Sequence, residues 1–287
     1  METKKYPYDL HIHTTISDGT FPPEKLIKHA FDNKIKGISI TDHDAVGSKE
    51  IYFKIIESGI CIPGLELSSL NNNVHILGYG LDWRNPKLIT FLKRQQNHRM
   101  NAIVKMCKKT NEFGIPVSVE EVLVEKQGDK GAVGRPHLAA AMLKKGYVST
   151  VKEAFVKYLR KDAPIYEKKE RHSHQFLIKK VLEWGGMPVL AHPGLIEEKI
   201  REKIIREAIE VGILGIEAYY PSHSEEYISQ LITLASNNSL IITGGSDFHG
   251  ENKPHIYLGI AGLRSEDFII FSEKLAEVTK FVLKTPA

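Results

Sequence analysis

Short apolar runs rich in β-branched residues alternate along this chain with longer segments whose apolar positions recur every three to four residues. The runs predict strands near Tyr8 to His13, Gly37 to Thr41, Ile60 to Leu67, Val74 to Tyr79, Pro188 to Ala191, Gly215 to Ala218 and Leu240 to Thr243. Pro22 and Pro23 open a helix whose apolar face is Leu26, Ile27, Ala30 and Phe31. Further helices are expected about Ser48 to Glu57, Gln175 to Trp184, Glu197 to Val211, Ser224 to Asn237 and Ser265 to Thr279, and Asn71-Asn72-Asn73 is a tight turn between the third and fourth strands. Such alternation is the pattern of a parallel α/β sheet or barrel, and seven strands suggest a distorted or incomplete barrel.

From about Asn85 to Lys168 helical patterning takes over: Leu88, Phe91 and Leu92, then Ile103, Met106 and Cys107, then Leu138 to Leu143 and Ala154 to Leu159. Lys126 to Gly131 reads as an exposed loop. The expected organisation is a barrel in two parts, residues 1–84 and 169–287, around a small helical insertion at 85–168. Charge sharpens this division. Residues 85–172 hold 19 Lys and Arg against 9 Asp and Glu, whereas the rest of the chain has 20 against 26. A basic segment beside an acidic scaffold suggests an anionic substrate held between them, although most of these lysines are expected on a solvated surface.

No apolar stretch is long enough to span a bilayer, and no signal-peptide apolar region precedes the first strand, so the expected location is the cytoplasm with no membrane partner. Cys61 and Cys107 form no Cys-x-x-Cys pair, which argues against both a disulfide framework and a thiolate zinc site. Gly-x-Ser-x-Gly is absent, and Gly244-Gly245-Ser246 does not fit a phosphate-cradling GxxxxGK loop, so nucleotide-dependent phosphoryl transfer is not expected.

The chemistry lies at the strand ends. His11 and His13 are two apart on a strand, hence on one face, and can bind one ion together. Asp18, His43, Glu66, His75, His192, Asp247 and His249 follow, almost all just after apolar runs. Scattered core histidines would not track strand ends so regularly, and the pattern points to a polynuclear metal centre.

Together, His11-Ile12-His13 with Ser17-Asp18-Gly19, Thr41-Asp42-His43-Asp44, Gly64-Leu65-Glu66, Val74-His75-Ile76-Leu77-Gly78-Tyr79, Ala191-His192-Pro193 and Ser246-Asp247-Phe248-His249 resemble the motifs of the PHP (polymerase and histidinol phosphatase) family of metal-dependent phosphoesterases. The similarity covers nearly the whole chain. It implies a distorted (β/α)7 barrel with its site at the C-terminal ends of the strands. It also implies one metal on His11, His13, Glu66 and Asp247, a second on His75 and His192 with Glu66 bridging, and a third on Asp18, His43 and His249. Such a mixed imidazole and carboxylate set suits two to three divalent ions of Mn, Zn or Fe more than Mg. Asp42 and Asp44 are expected to support ligands rather than to be ligands.

The expected reaction is in-line attack by a metal-bridging hydroxide on a phosphate ester. Arg135 is the first choice for holding phosphate, because a guanidinium binds it bidentately. His137 and Arg99, with Arg94 behind it, are further substrate contacts, and His223 is placed as a phosphate binder or as the acid that protonates the leaving oxygen. His98, His172, His174 and His255 are assigned to the surface.

An insertion carrying Arg-Pro-His is similar to the PHP subgroup of 3′,5′-nucleoside bisphosphate phosphatases, AMP phosphoesterases and 5′-to-3′ exonucleases on short RNA. The leading expectation is a phosphatase acting on the 3′-phosphate of nucleoside 3′,5′-bisphosphates, with no stable duplex nucleic acid as partner. Alternatives are an exonuclease on short oligonucleotides, for which a basic strip interleaved with aromatics would count and Tyr147, Phe155 and Tyr158 are candidates; histidinol-phosphate phosphatase; and a non-catalytic metal-binding interaction module. The sequence leaves the oligomeric state open.

Overall fold

The computed structural model describes residues 6–46, 59–71, 73–126, 131–167 and 172–279. Its seven strands form one sheet in chain order: β1 (Tyr8–Ile12), β2 (Gly37–Ile40), β3 (Ile60–Ser68), β4 (His75–Tyr79), β5 (Met187–Leu190), β6 (Gly215–Tyr219) and β7 (Ile241–Gly244). A bridge from Ile12 to Phe248, just beyond β7, nearly closes the sheet into a barrel. The distorted α/β barrel expected from the sequence is the fold, with one inversion. β4 runs antiparallel to both β3 and β5, while the other pairings are parallel. The cause is local. Residues 69–74 are too few for a crossover, so β3 and β4 form a hairpin. Ser68, ending β3, therefore pairs with His75, opening β4.

Around the sheet lie α1 (Pro23–Asp32), α2 (Pro86–Glu112), α3 (Val119–Glu125), α4 (Arg135–Lys144), α5 (Val151–Ala154), α6 (His174–Glu183), α7 (Glu198–Glu210), α8 (Glu225–Asn237) and α9 (Ser265–Val278). α5 runs on into a π-turn over Phe155–Leu159. Helix starts follow the sequence: the Asn85 side chain accepts from the Lys87 amide with Pro86 behind it, and Ser118, Ser173 and Ser224 cap three others. The helix expected about Ser48 to Glu57 lies outside the described residues, as does most of the Lys126 to Gly131 loop.

Two apolar clusters pack the barrel, and a third, from Ala102 to Ile165, is confined to the segment between β4 and α6. α2 joins both bodies. Leu88 and Leu92 on its first half belong to a barrel cluster, and Ile103 and Met106 on its second half belong to the third cluster. The self-contained core of the insertion thus begins in the middle of this 27-residue helix, which is about 40 Å long. Among the described residues, no helix is long and apolar enough to cross a membrane.

Candidate metal centre

The ends of β1, β2, β3, β5 and β7 and the start of inverted β4 converge on one face. The family resemblance implies a site built at C-terminal strand ends. His75 reaches the same face from the N-terminal end of its strand because that strand is reversed.

Glu66 is the hub. Its Oε1 lies 2.6 Å from His75 Nδ1 and 3.0 Å from His192 Nε2. Its Oε2 lies 2.9 Å from His43 Nδ1, 3.3 Å from His13 Nε2 and 3.5 Å from His11 Nε2. Asp247 Oδ1 is 3.2 Å from His13 Nε2, and Asp18 Oδ1 is 3.3 Å from His249 Nε2. All nine expected ligands fall into overlapping groups able to share an ion: His11, His13 and Asp247; His11, Glu66 and His192; His43, Glu66 and His75; and His13, Asp18, His43 and His249. His13 and His43 thus stand between the ligand sets assigned from the sequence.

Backbone geometry serves this convergence. His192, Asp44 and Asp247 have φ of 27°, 46° and 54°, a region costly for residues with a side chain and tolerated where the surroundings enforce it. A Cβ at Gly245 would stand 2.3 Å from the Cβ of His11, so only glycine lets the β7 end approach β1 this closely.

Several ligand-type atoms face one another without a hydrogen bond. His11 Nε2, His13 Nε2 and Asp18 Oδ1 are buried without a hydrogen bond. Such atoms are costly to bury, and lone pairs aimed at one another in a mixed imidazole and carboxylate set are what divalent cations satisfy. The residues therefore fit a metal cluster. Burial pushes the carboxyls of Glu66 and Asp18 up, but the surrounding imidazoles outweigh it and hold both well below the carboxylate range, so both are ionised. Burial takes His75 down to about 4, leaving it neutral. For His13, burial opposes the carboxylates of Asp247 and Glu66, which prevail and raise it to about 9. A cation held by His13 together with those carboxylates would take the place of that proton.

Supporting groups orient the ligands. Asp42 accepts from the Thr14 amide at 2.8 Å and from the Thr14 and Ser17 hydroxyls at 2.7 Å and 2.6 Å, bracing the loop that carries Asp18. Glu217, absent from the sequence reading, is fully buried; it accepts from His11 Nδ1 at 3.0 Å and from the His192 amide at 2.7 Å. It fixes the His11 tautomer with Nε2 facing the cluster. Its signal was an acid inside an apolar strand, Gly215-Ile216-Glu217-Ala218, the same signature that marked Glu66. Lys253, bonded to Asp247 Oδ2 opposite the Tyr220 hydroxyl at 2.8 Å, had no such signal in its polar loop.

The expected substrate residues divide. Arg135 is half-buried; its Nη1 donates to the Leu159 carbonyl at 2.9 Å and its guanidinium lies over Phe155 and Tyr166. Burial, with a contribution from Arg99, lowers its pKa, so two guanidinium charges stand near one another on the insertion side. Arg99 donates through Nε to Asp44 at 2.6 Å and through Nη2 to Ser68 at 2.9 Å, which ties α2 to the strand ends. His137 accepts from the Gly134 amide at 2.9 Å and lies beside Ser17 and Asp18.

His223, expected as a phosphate binder or as an acid, has both ring nitrogens engaged by backbone. Its Nδ1 donates to the Ala218 carbonyl at 2.8 Å and its Nε2 accepts from the Gly194 amide at 3.1 Å, so both nitrogens are occupied in a neutral ring. Arg94 stands exposed on the outer face of α2, away from the cluster. His174, expected on the surface, is buried with Nε2 3.3 Å from Glu207, whereas His255 is exposed. Tyr147, Phe155 and Tyr158 pack against the insertion core and form no open strip.

Comparison with known proteins agrees with this geometry. A profile of the PHP domain matches residues 9–127. The 5′-3′ exoribonuclease Rnm of Escherichia coli is 32% identical over 260 residues, covering 88% of each chain. The 3′,5′-nucleoside bisphosphate phosphatase of Chromobacterium violaceum is 29% identical, over 84% of this chain and 86% of its own. A Bifidobacterium adolescentis structure described as a metal-dependent phosphoesterase superposes with a TM-score of 0.81 at 26% identity, covering 95% and 96% of the two chains. With its ligand-type residues gathered at one end of a nearly closed seven-stranded barrel, the chain belongs to the PHP family of metal-dependent phosphoesterases.

Proposed function

We propose that this phosphoesterase removes a phosphate from a small nucleotide carrying a second anionic group, with the 3′-phosphate of nucleoside 3′,5′-bisphosphates as the leading substrate. The observation that carries the reading is the juxtaposition of two charge systems. Nine ligand-type side chains, several with buried ligand atoms that make no protein hydrogen bond, face one another at the barrel mouth; Arg99 reaches Asp44 beside His43, His137 is near Asp18, and Arg135 is near Arg99. Relatives named as a bisphosphate phosphatase and an exoribonuclease both act on nucleotide phosphates, which supports the substrate class.

In this reading two or three divalent ions of the Mn, Zn or Fe type are held by His11, His13, Asp18, His43, Glu66, His75, His192, Asp247 and His249. Bound there, they supply Lewis-acid charge and activate water near neutral pH. The protein supplies the rest. Glu217 and Asp42 hold His11 and the Asp18 loop in position. Arg135 binds the remote phosphate, so that binding energy away from the reacting bond orients the scissile phosphate. His223 holds the His192 to Leu195 turn through Gly194 rather than donating a proton.

The test is phosphate release by the metal-loaded protein from adenosine 3′,5′-bisphosphate, AMP, histidinol phosphate and a short 5′-phosphorylated RNA at equal concentration. The expected result is preference for the bisphosphate over AMP, abolished in Arg135→Ala. Preference for histidinol phosphate, whose amine an arginine repels, would overturn the assignment of Arg135.

A further inference from the structure

Beyond β7 the chain supplies Asp247 and His249 to the cluster and then makes one tight turn over Gly250–Asn252. That turn is pinned to the loop carrying Asp18. The Glu251 amide donates to the Thr20 hydroxyl at 3.0 Å, the Asn252 side-chain amide to the Asp18 carbonyl at 2.8 Å, and the Thr20 amide to the His249 carbonyl at 3.2 Å. A Cβ at Gly250, whose φ is 65°, would stand 2.1 Å from the Thr20 hydroxyl oxygen, so glycine lets the two loops meet. Lys253 follows at once, its amide closing the turn onto the Gly250 carbonyl at 3.1 Å. Its backbone is thereby fixed beside the cluster.

The two oxygens of Asp247 have different company. Oδ1 faces the ligand-type histidines, 3.2 Å from His13 Nε2 and 3.4 Å from His249 Nδ1. Oδ2 accepts from the Tyr220 hydroxyl at 2.8 Å and from the Lys253 ammonium at 2.5 Å. Lys253 also lies within electrostatic reach of Asp18 and Glu66. Among the described residues it is the cationic side chain that contacts the ligand set directly, since Arg99 is bound to Asp44 and Ser68 and Arg135 to the Leu159 carbonyl. Exposure separates it from its partner. The Lys253 side chain is 35% exposed against 9% for Asp247. An ammonium carries more N–H donors than the one Asp247 accepts, so donors remain for a ligand arriving from solvent.

We propose that Lys253 is a catalytic residue whose ammonium, still bonded to Asp247, holds a non-bridging oxygen of the phosphate whose ester bond is cleaved. The proposal rests on the phosphoesterase reading of the centre and adds a protein cation to it. A phosphoryl group in transfer spreads its charge over those oxygens, and an ammonium already fixed in place offsets that charge. Lys253 contributes charge and orientation and keeps its own protons. Its task is distinct from that of Arg135, which binds the remote phosphate.

The experiment titrates inorganic phosphate calorimetrically into the metal-loaded protein. Parent, Lys253→Met, Lys253→Arg and Tyr220→Phe are matched for bound metal by elemental analysis, and turnover of adenosine 3′,5′-bisphosphate is measured alongside. Lys253→Met should weaken phosphate binding about tenfold, the weight of one charge-assisted contact, and lower kcat about 100-fold. Lys253→Arg should restore most of both. Tyr220→Phe removes the other donor to Asp247 Oδ2 without removing charge, and should change phosphate affinity by less than about twofold. Equal phosphate affinity in Lys253→Met and parent, or no phosphate binding by the parent, overturns the proposal. So does an equal loss in Tyr220→Phe, or a Lys253→Met protein that cannot be loaded with metal, either of which would make Lys253 a support for Asp247 alone. If phosphate binding depends on Lys253 while the loaded parent cleaves no phosphate ester, the phosphoesterase reading fails and the phosphate contact stands.

Discussion

At the scale of single residues, what each ionisable group does depends on its partners more than on its type. His223 and His11 are both histidines near strand ends. Two backbone contacts make His223 a strut, and one carboxylate, Glu217, leaves His11 with a free nitrogen facing the cluster. Replacing Glu217 with Gln should lower metal affinity about 10- to 100-fold, read by competition with a chelator, with the fold retained by circular dichroism. His192→Ala or Asp247→Ala should nearly abolish turnover with the same retained fold; full activity in either would remove the centre from the mechanism. The thiols lie at the opposite extreme. Burial pushes Cys61 up to about 12 and Cys107 up to about 11, so both are protonated at neutral pH and should resist alkylation until the chain unfolds. Because these pKa values are raised on folding, the unfolded chain ionises first. The thiols' contribution to stability is therefore complete below about pH 9 and is lost as pH rises toward 11 to 12, which base titration of unfolding should reveal against Cys→Ala variants.

Among the elements, β4 and α2 do most to build the site. The six residues between β3 and β4 force an antiparallel hairpin, and that inversion carries His75 to the mouth although it begins its strand. A longer connection that restored a parallel strand would bury His75 at the far end. α2 is a rigid strut between two cores, and through Arg99 it fixes the insertion against the strand ends. Emptying the insertion core should therefore be felt in catalysis. Met142→Ala, which removes a fully buried side chain, should cost about 2–5 kcal/mol by denaturant unfolding. It should also raise KM for the bisphosphate more than it lowers kcat, because Arg135 lies in the same helix as Met142. An unchanged KM would show that Arg135 is positioned without that core.

For the molecule as a whole, the uneven charge along the chain is distributed over several surfaces. Some of the insertion's lysines pair at the surface with its own acids, such as Lys144 with Glu125, Lys145 with Glu121 and Lys157 with Glu153, which leaves its positive surplus intact, while Arg99 turns inward onto Asp44. Arg94, one of that basic count, faces outward into a groove between α2 and α6. The sequence by itself determined the strands, the helix starts and the chemical types at the strand ends. These are local properties: period-two and period-3.6 burial, capping side chains, and polar residues placed where a strand leaves the core. It could not determine which ligand-type side chains come within reach of one another, that His223 is saturated by backbone, that Glu217 backs His11, or that residues 87–94 and 180–184 line one groove. Those facts depend on distances between residues remote in sequence. His11 and Glu217, 206 positions apart, meet only because the barrel nearly closes, and no periodicity along the chain encodes that closure.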